Sequence, residues 1–287
     1  MAFFFFVAMQ IDPLFLTKTA YELRINVIDM LIEAQSGHTA GPLGMAEVFS
    51  VLYFSGLVNI NPQNKTAPDR DRVILSNGHI APIRYAAMAK AGFFASEMLH
   101  TFRKLHSPLQ GHPSVQDLPE IETSSGPLGQ GISQAVGMAI GLRHEQSTSH
   151  VYCLISDGEC QEGQTWEALM FASSKNLTNL TVVIDRNRIQ IDGSTDEVVP
   201  GLEPLAQKLQ AFGWETLSID GNDVSDIIEA IGQSKKKRNK PLVIIANTTP
   251  GKGVSFMEDD YLWHGKAPTK AEGQQAKQEL TAALASL

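Results

Sequence analysis

Apolar residues fall into two rhythms along this chain. Short apolar runs at Val151–Ile155 and, with Thr181 within it, Leu180–Ile184 predict strands buried on both faces, as in a parallel sheet. Between them, Gln161–Asn176 carries Trp166, Leu169, Met170 and Ala172-Ser173 at helical spacing, an apolar face to lay on that sheet. The three segments make one βαβ unit, and the same rhythms recur on either side. Leu14–Gln35 sets Leu16, Ala20, Leu23, Val27, Met30, Leu31 and Ala34 on one helical stripe, stopped by Ser36-Gly37. Met45–Phe54 reads as a helix, Arg72–Leu75 as a strand, Pro82–Ala91 as a helix closed by Gly92, and Ile132–Arg143 as a helix of small residues. Downstream, Leu202–Phe212 and Val224–Ile231 read as helices, Glu215–Ile219 and Pro241–Ala246 as strands. Glycine-rich or polar stretches at 37–44, 59–71 and 110–113 read as loops. The alternation predicts an α/β fold, a doubly wound and mostly parallel sheet flanked by helices.

At 287 residues the chain can bury a large core. Its net charge of −8 argues against nonspecific nucleic-acid binding, which needs a broad basic face. A small phosphorylated substrate needs only a local positive site and stays open. The basic run Lys235–Lys240 has the look of a localisation or nucleic-acid patch, but a solvated helix end explains it more simply. Two cysteines, Cys153 and Cys160, cannot build a disulfide framework or a metal cluster and suit a reducing cytoplasm. Cys153 belongs in a strand core; Cys160, beside an Asp-Gly turn, is read as structural too. Phe3–Val7 is too short to span a membrane and lacks the flanks of a signal peptide. It is expected to pack on a partner.

The chemistry starts at the ends of the two central strands. Ligands of such sheets gather beyond the carboxyl ends, where Asp157 and Asn187 are expected as neighbours in space. Two side-chain oxygens plus a backbone carbonyl suit a hard cation such as magnesium or calcium, which completes its shell with phosphate oxygens and water. Gly158 lets a phosphate approach the backbone; a strand-end aspartate capping the next turn is the plainer alternative. Three of the eight histidines follow glycine in loops: Gly37-His38, Gly78-His79 and Gly111-His112. Each alone is a surface turn, but three beside αβ elements point to one cleft, and neutral imidazole suits proton transfer on hydroxyls and carbonyls. Trp263-His264-Gly265 supplies a fourth. His100, His106, His144 and His150 are taken as surface or core residues. The loop Ser124–Gly131 opens a helix with glycines that admit a flat ring or a phosphate, or that serve tight helix packing equally well.

In order along the chain stand Gly37-His38 with Pro42-Leu43-Gly44-Met45, Leu75-Ser76-Asn77-Gly78-His79, Gly111-His112-Pro113, Gly126-Pro127-Leu128-Gly129-Gln130-Gly131, Ser156-Asp157-Gly158-Glu159 with Asp185-Arg186-Asn187, and Trp263-His264-Gly265. This series, spanning about residues 36–266, resembles the pyrophosphate-binding domain of transketolases. The departures are Ser156, Asp185-Arg186 and Thr39-Ala40, where the family more often has other letters.

The resemblance implies one pyrophosphate-binding domain over residues 1–287, with 1–13 as an N-terminal extension. It implies thiamine diphosphate and a divalent cation, magnesium or calcium or manganese in its place. Asp157, Asn187 and the Ile189 carbonyl would hold the metal. Gly158, His79 and His264 would contact the diphosphate, and Gly126 and Leu128 the aminopyrimidine. His38, His79, His112 and His264 would face the sugar as acid–base and hydrogen-bonding groups. Glu162 and Glu167 match positions near a subunit interface. The implied activity is transfer of a two-carbon ketol unit from a ketose phosphate to an aldose phosphate. Because the resemblance covers only the first domain, the expected partner is a second chain carrying the pyrimidine-binding and C-terminal domains, in an α₂β₂ assembly, with no nucleic acid or membrane involved. Two other readings stay open: the diphosphate-binding α-subunit of a 2-oxoacid dehydrogenase, which lacks this histidine set, and a non-catalytic cofactor-binding protein.

Overall fold

Asp12 opens the first helix, its carboxylate accepting from the Leu14 N–H at 2.9 Å with Pro13 in the first turn. In the computed structural model, which describes residues 11–60, 62–64 and 67–287, α1 (Pro13–Ala34) buries the expected stripe from Leu16 to Leu31. Phe3–Val7 lies outside the described residues. The glycine-rich stretch that follows is not a plain loop. Residues 40–44 coil into α2 (Ala40–Gly44), all of it buried. Close packing dictates this: a Cβ on Gly41 would meet Ile80 at 2.9 Å, and one on Gly44 the Thr249 carbonyl at 2.9 Å.

The chain continues through α3 (Ala46–Phe54), β1 (Arg72–Leu75), α4 (Ala81–Lys90), α5 (Gln130–His144), β2 (Val151–Ser156), α6 (Gly163–Ser174) and β3 (Leu180–Arg186). A two-stranded hairpin of β4 (Ile189–Gln190) and β5 (Gly193–Ser194) leads into α7 (Thr195–Val198) and α8 (Leu205–Ala211). Then come β6 (Glu215–Asp220), α9 (Val224–Ser234), β7 (Leu242–Asn247) and α10 (Lys270–Ala285). The main sheet has the order β1-β2-β3-β7-β6, every pair parallel.

Period-2 alternation divides the core between the two faces of this sheet. On β2, Tyr152 and Leu154 join the cluster packed by α1, α3, α4, α9 and α10, whereas Val151, Cys153 and Ile155 join the one packed by α5, α6 and α8. Register places Ser156 opposite Asp185 and Asp185 opposite Ala246. The carboxyl ends of β2, β3 and β7 therefore finish level, and Asp157 and Asn187 emerge there together.

Several details differ from expectation. The helix after β2 starts at Gly163, because residues 158–161 first form a 3₁₀ turn. Within it Leu169 and Ala172 face the core, but Met170 is 57% exposed. The helix expected from Leu202 starts at Leu205, after a 3₁₀ turn at Pro200–Leu202. The helix α10 was not expected; only Gly273, Ala276 and Leu280 of it are buried, and a Thr269–Glu272 capping box opens it. Cys153 and Cys160 are free and buried, and burial pushes both thiols up, so neither is a reactive thiolate. Lys235 pairs with the buried Asp71 at 2.5 Å and Arg238 with Glu215 at 3.3 Å, leaving a solvated helix end. Among the described residues no helix is long and apolar enough to cross a membrane.

Candidate active site

Where β2 runs out, the Asp157 N–H donates to the Asp185 carbonyl at 3.1 Å. The Asp157 carboxylate is fully buried. Its Oδ1 accepts from the Gly158 N–H at 2.7 Å, and its Oδ2 from the Arg188 N–H at 2.8 Å and Arg186 Nη1 at 2.6 Å. Arg186 is itself buried and also donates to Thr195 Oγ1 at 2.8 Å, with Asp196 at 3.0 Å and Glu203 at 2.9 Å as further counter-ions. Asn187 donates from Nδ2 to Asp185 at 2.8 Å and accepts at Oδ1 from the Ile189 N–H at 3.0 Å. Asp157 Oδ1 and Asn187 Oδ1 each keep an unused lone pair. With the Ile189 carbonyl, the expected ligands are one carboxylate, one amide and one carbonyl, all hard oxygen donors. Among the described residues no group of three or more His, Cys, Asp or Glu side chains is arranged to hold a metal alone, so this set needs oxygens from a ligand to complete a shell.

The four glycine-flanked histidines meet. The His38 ring lies 5.1 Å from His79, 6.4 Å from His112 and 5.5 Å from His264, and His79 lies 5.3 Å from His264, centroid to centroid. They arrive from separate elements: the end of α1, the turn after β1, the loop after residue 109, and the turn before Gly265. Burial lowers the basicity of all four. For His38 the neighbouring His264, His112 and Arg103 add to burial and bring it to about 4. All four imidazoles are therefore neutral at pH 7, able to donate at one nitrogen and accept at the other. Nδ1 of His38 and Nδ1 of His264 are buried without a partner.

These rings, with Gly126, Leu128, Gly158, Glu162 and Ile189, line one cleft of about 330 Å³. Ile189 also lines a second, wider depression, together with Asn187, Thr248 and Asp220, while the Asp157 carboxylate is buried next to Gly158. Glu167 stands apart on the exposed side of α6. Four cleft residues were given no role from the sequence: Ser156, quoted only as a motif letter, and Gln161, Gln190 and Ile191. Gln161 Nε2 donates to Gln190 Oε1 at 2.5 Å beside Gly158, and Ile191 is 64% exposed at the rim. A fifth, Glu159, lies behind the wall, fully buried. It accepts from the Ser76 hydroxyl and the Gly129 N–H (2.7 Å), tying the His79 turn and the 126–131 loop to the end of β2. Burial raises its carboxyl to about 7.

Residues 16–284 match the family model of the transketolase thiamine diphosphate binding domain. The chain belongs to the transketolase family. It is 42% identical over 271 residues to the 6-deoxy-6-sulfo-D-fructose transketolase subunit SqwG of Clostridium sp. (strain MSTE9), covering 94% of this chain and 97% of that protein. It is 35% identical to one subunit of the apulose-4-phosphate transketolase of Phocaeicola vulgatus, covering 97% and 98% respectively. Against human transketolase the identity is 38%, but the match takes in only 43% of that longer protein. The crystal structure of Campylobacter jejuni transketolase superposes with a TM-score of 0.87 at 36% identity, over 93% of this chain and 42% of that one. The chain thus spans nearly the whole of the relatives named as subunits and about two fifths of the full-length transketolases.

The residues present fit the cofactor of this family. Two of the histidines that line the cleft each keep a buried Nδ1 without a partner, free lone pairs remain on Asp157 and Asn187, and the space over Gly158 is open, the nearest atom to a Cβ there being Gln190 Cβ at 3.8 Å.

Proposed function

We propose that this chain is the diphosphate-binding subunit of a two-chain transketolase, a single pyrophosphate-binding domain preceded by an extension over residues 1–13. The assembly transfers a two-carbon ketol unit from a ketose phosphate to an aldose phosphate with thiamine diphosphate and a divalent cation. The observation that carries this reading is the cleft itself, where four imidazoles of lowered basicity converge with Gly158 and Ile189. Thiamine diphosphate supplies, when bound, an electron sink next to a substrate carbonyl carbon. This chain's own residues do the rest. Asp157, Asn187 and the Ile189 carbonyl hold the cation, while Arg186 fixes the Asp157 carboxylate and already offsets its charge. Gly158, His79 and His264 bind the diphosphate, and Gly126 and Leu128 the aminopyrimidine. Neutral His38, His79, His112 and His264 bind the sugar hydroxyls and exchange protons with them. A neutral imidazole that takes a proton from one hydroxyl becomes an imidazolium and returns to neutral by giving a proton to the next oxygen.

The partner is read from the relatives, two of which are named as subunits of transketolases and are covered almost end to end by this chain. We place its contact on α6, where Glu162 and Glu167 stand in solvent beside Met170 and Phe171, 57% and 48% exposed. An α₂β₂ assembly repeats that contact by symmetry. Buried, unpaired thiols fit a cytoplasmic setting. The test is a two-carbon transfer assay between a ketose phosphate and an aldose phosphate, run on this chain alone, on a candidate partner alone, and on both. Activity only in the mixture is expected; turnover by this chain alone would refute the split assembly.

A further inference from the structure

The loop that carries His112 is pinned at both ends. Tyr85 Oη donates to the Gln110 carbonyl at 2.9 Å, and the Ser125 N–H to the Pro113 carbonyl at 3.0 Å. Between those pins Gly111 rests on the guanidinium of Arg103. A Cβ built on Gly111 would lie 2.6 Å from Arg103 Cζ and Nε and 2.7 Å from Nη2. The other edge of the same guanidinium donates from Nη1 to Ser36 Oγ at 2.9 Å, two residues before His38. Arg103 holds this place with its own backbone in the left-handed region, φ +59°, where its N–H donates to the Leu109 carbonyl at 2.9 Å. A non-glycine residue pays for that conformation, and such outliers cluster where geometry serves function. Gly111 is not itself at positive φ, so the backbone does not demand a glycine there; a side chain at this position would have to displace the Arg103 guanidinium.

We infer that Arg103 is a positioning residue for the imidazole pair His38 and His112, a flat wedge that sets the distance between the Ser36–His38 and Gly111–Pro113 segments. The inference rests on the proposed roles of those histidines at the sugar. A planar group with donors on its edge fits this place, and lysine, a point charge on a flexible stem, does not. Burial lowers the basicity of both rings and the charge of Arg103 lowers it further, with His264 and His112 adding to this for His38, whose ring His79 also faces.

The experiment compares Arg103→Lys, Arg103→Gln, Gly111→Ala and the Arg103→Gln/Gly111→Ala double variant. In the assembled enzyme, Arg103→Lys and Gly111→Ala should each lower kcat about tenfold or more, as a shift of about 1 Å does, with cofactor affinity unchanged. The alanine methyl is accommodated by swinging the guanidinium aside, so Gly111→Ala should lose position and not fold. The double variant should then be no slower than Arg103→Gln alone. In the isolated chain, the His112 imidazole followed by NMR should titrate at higher pH in Arg103→Gln and as in the unmodified chain in Arg103→Lys. Multiplying losses in the double variant, or unchanged kcat in Arg103→Lys, would overturn the inference. If the unmodified assembly shows no ketol transfer, it is the proposed function that fails. The wedge is then decided by a crystal structure of Gly111→Ala: an undisplaced guanidinium and an unmoved His112 would overturn it.

Discussion

Gly158→Ala separates the cofactor cradle from the fold. Gly158 is the first residue of the 3₁₀ turn after Asp157, and its φ is not in the left-handed region. A methyl there meets nothing nearer than Gln190 Cβ at 3.8 Å, an ordinary van der Waals contact. The free chain should therefore fold as before. Removing a glycine should even stabilise it by about 0.4–1 kcal/mol through the unfolded state. The same methyl projects into the cleft, since both Gly158 and Gln190 line it, and there it keeps a phosphate oxygen from sharing the Gly158 N–H, which in the free chain donates to Asp157 Oδ1 at 2.7 Å. Losing one charge-assisted hydrogen bond costs roughly 1.5–3 kcal/mol, which is about a ten- to hundredfold rise in Kd. Thermal unfolding of the chain alone, paired with calorimetry of thiamine diphosphate binding to the assembly, reads both effects. An equal or higher Tm with weakened cofactor binding is expected. Full affinity in the variant would show that the diphosphate does not lie on this turn.

His112→Ala should lose turnover or sugar affinity and keep most cofactor affinity, whereas His79→Ala should damage both; steady-state kinetics beside cofactor titration distinguish them, and the reverse pattern would mean the roles are exchanged. Glu159→Ala strands the Gly129 N–H and the Ser76 hydroxyl in the core and should cost roughly 2–4 kcal/mol in urea unfolding, while Glu159→Gln, which keeps an acceptor, should cost less than half of that. For acid stability the sign is set by His38, which protonates near 6.5 when unfolded but at about 4 when folded. The unfolded chain binds more protons in that window, so the contribution is complete above pH 6.5 and fades as pH falls towards 4. It is worth up to about 3 kcal/mol, less for the exposed part of the ring. His38→Gln should flatten the unfolding profile between those pH values, and an unchanged profile would contradict the assigned burial.

Much of this was legible because it rests on local rules. Short apolar runs announced β2 and β3, and the glycine-histidine pairs announced loops that do converge. What was not legible depends on distant parts of the chain. Nothing in Lys270–Ala285 shows an apolar face, because the helix docks with only Gly273, Ala276 and Leu280 buried; the cleft between it and α1 accepts small side chains, with Gly273 against Ile32. Met170 continues the hydrophobic pattern of α6 but is 57% exposed, on the face assigned to the partner. Glu159 and Arg186 look like surface charges until their partners arrive from residues 76, 129, 195, 196 and 203. Polar residues are read as solvent-facing by default, so buried charged hubs are what a one-dimensional pattern misses. The signal for Glu159 was its place, two residues past a strand-end aspartate.

We propose that Asp157, Asn187 and Gly158 form one half of a thiamine diphosphate site completed by a second chain. The most direct measurement is isothermal titration of thiamine diphosphate with magnesium into this chain, into its partner, and into the two combined, each repeated with Asp157→Ala. One cofactor bound per copy of this chain in the combined sample, weak or no binding to either chain alone, and no retention by Asp157→Ala is the expected outcome. It follows from a donor set that is incomplete without diphosphate oxygens and already charge-compensated by Arg186. Undiminished cofactor binding by the Asp157→Ala assembly would contradict the account.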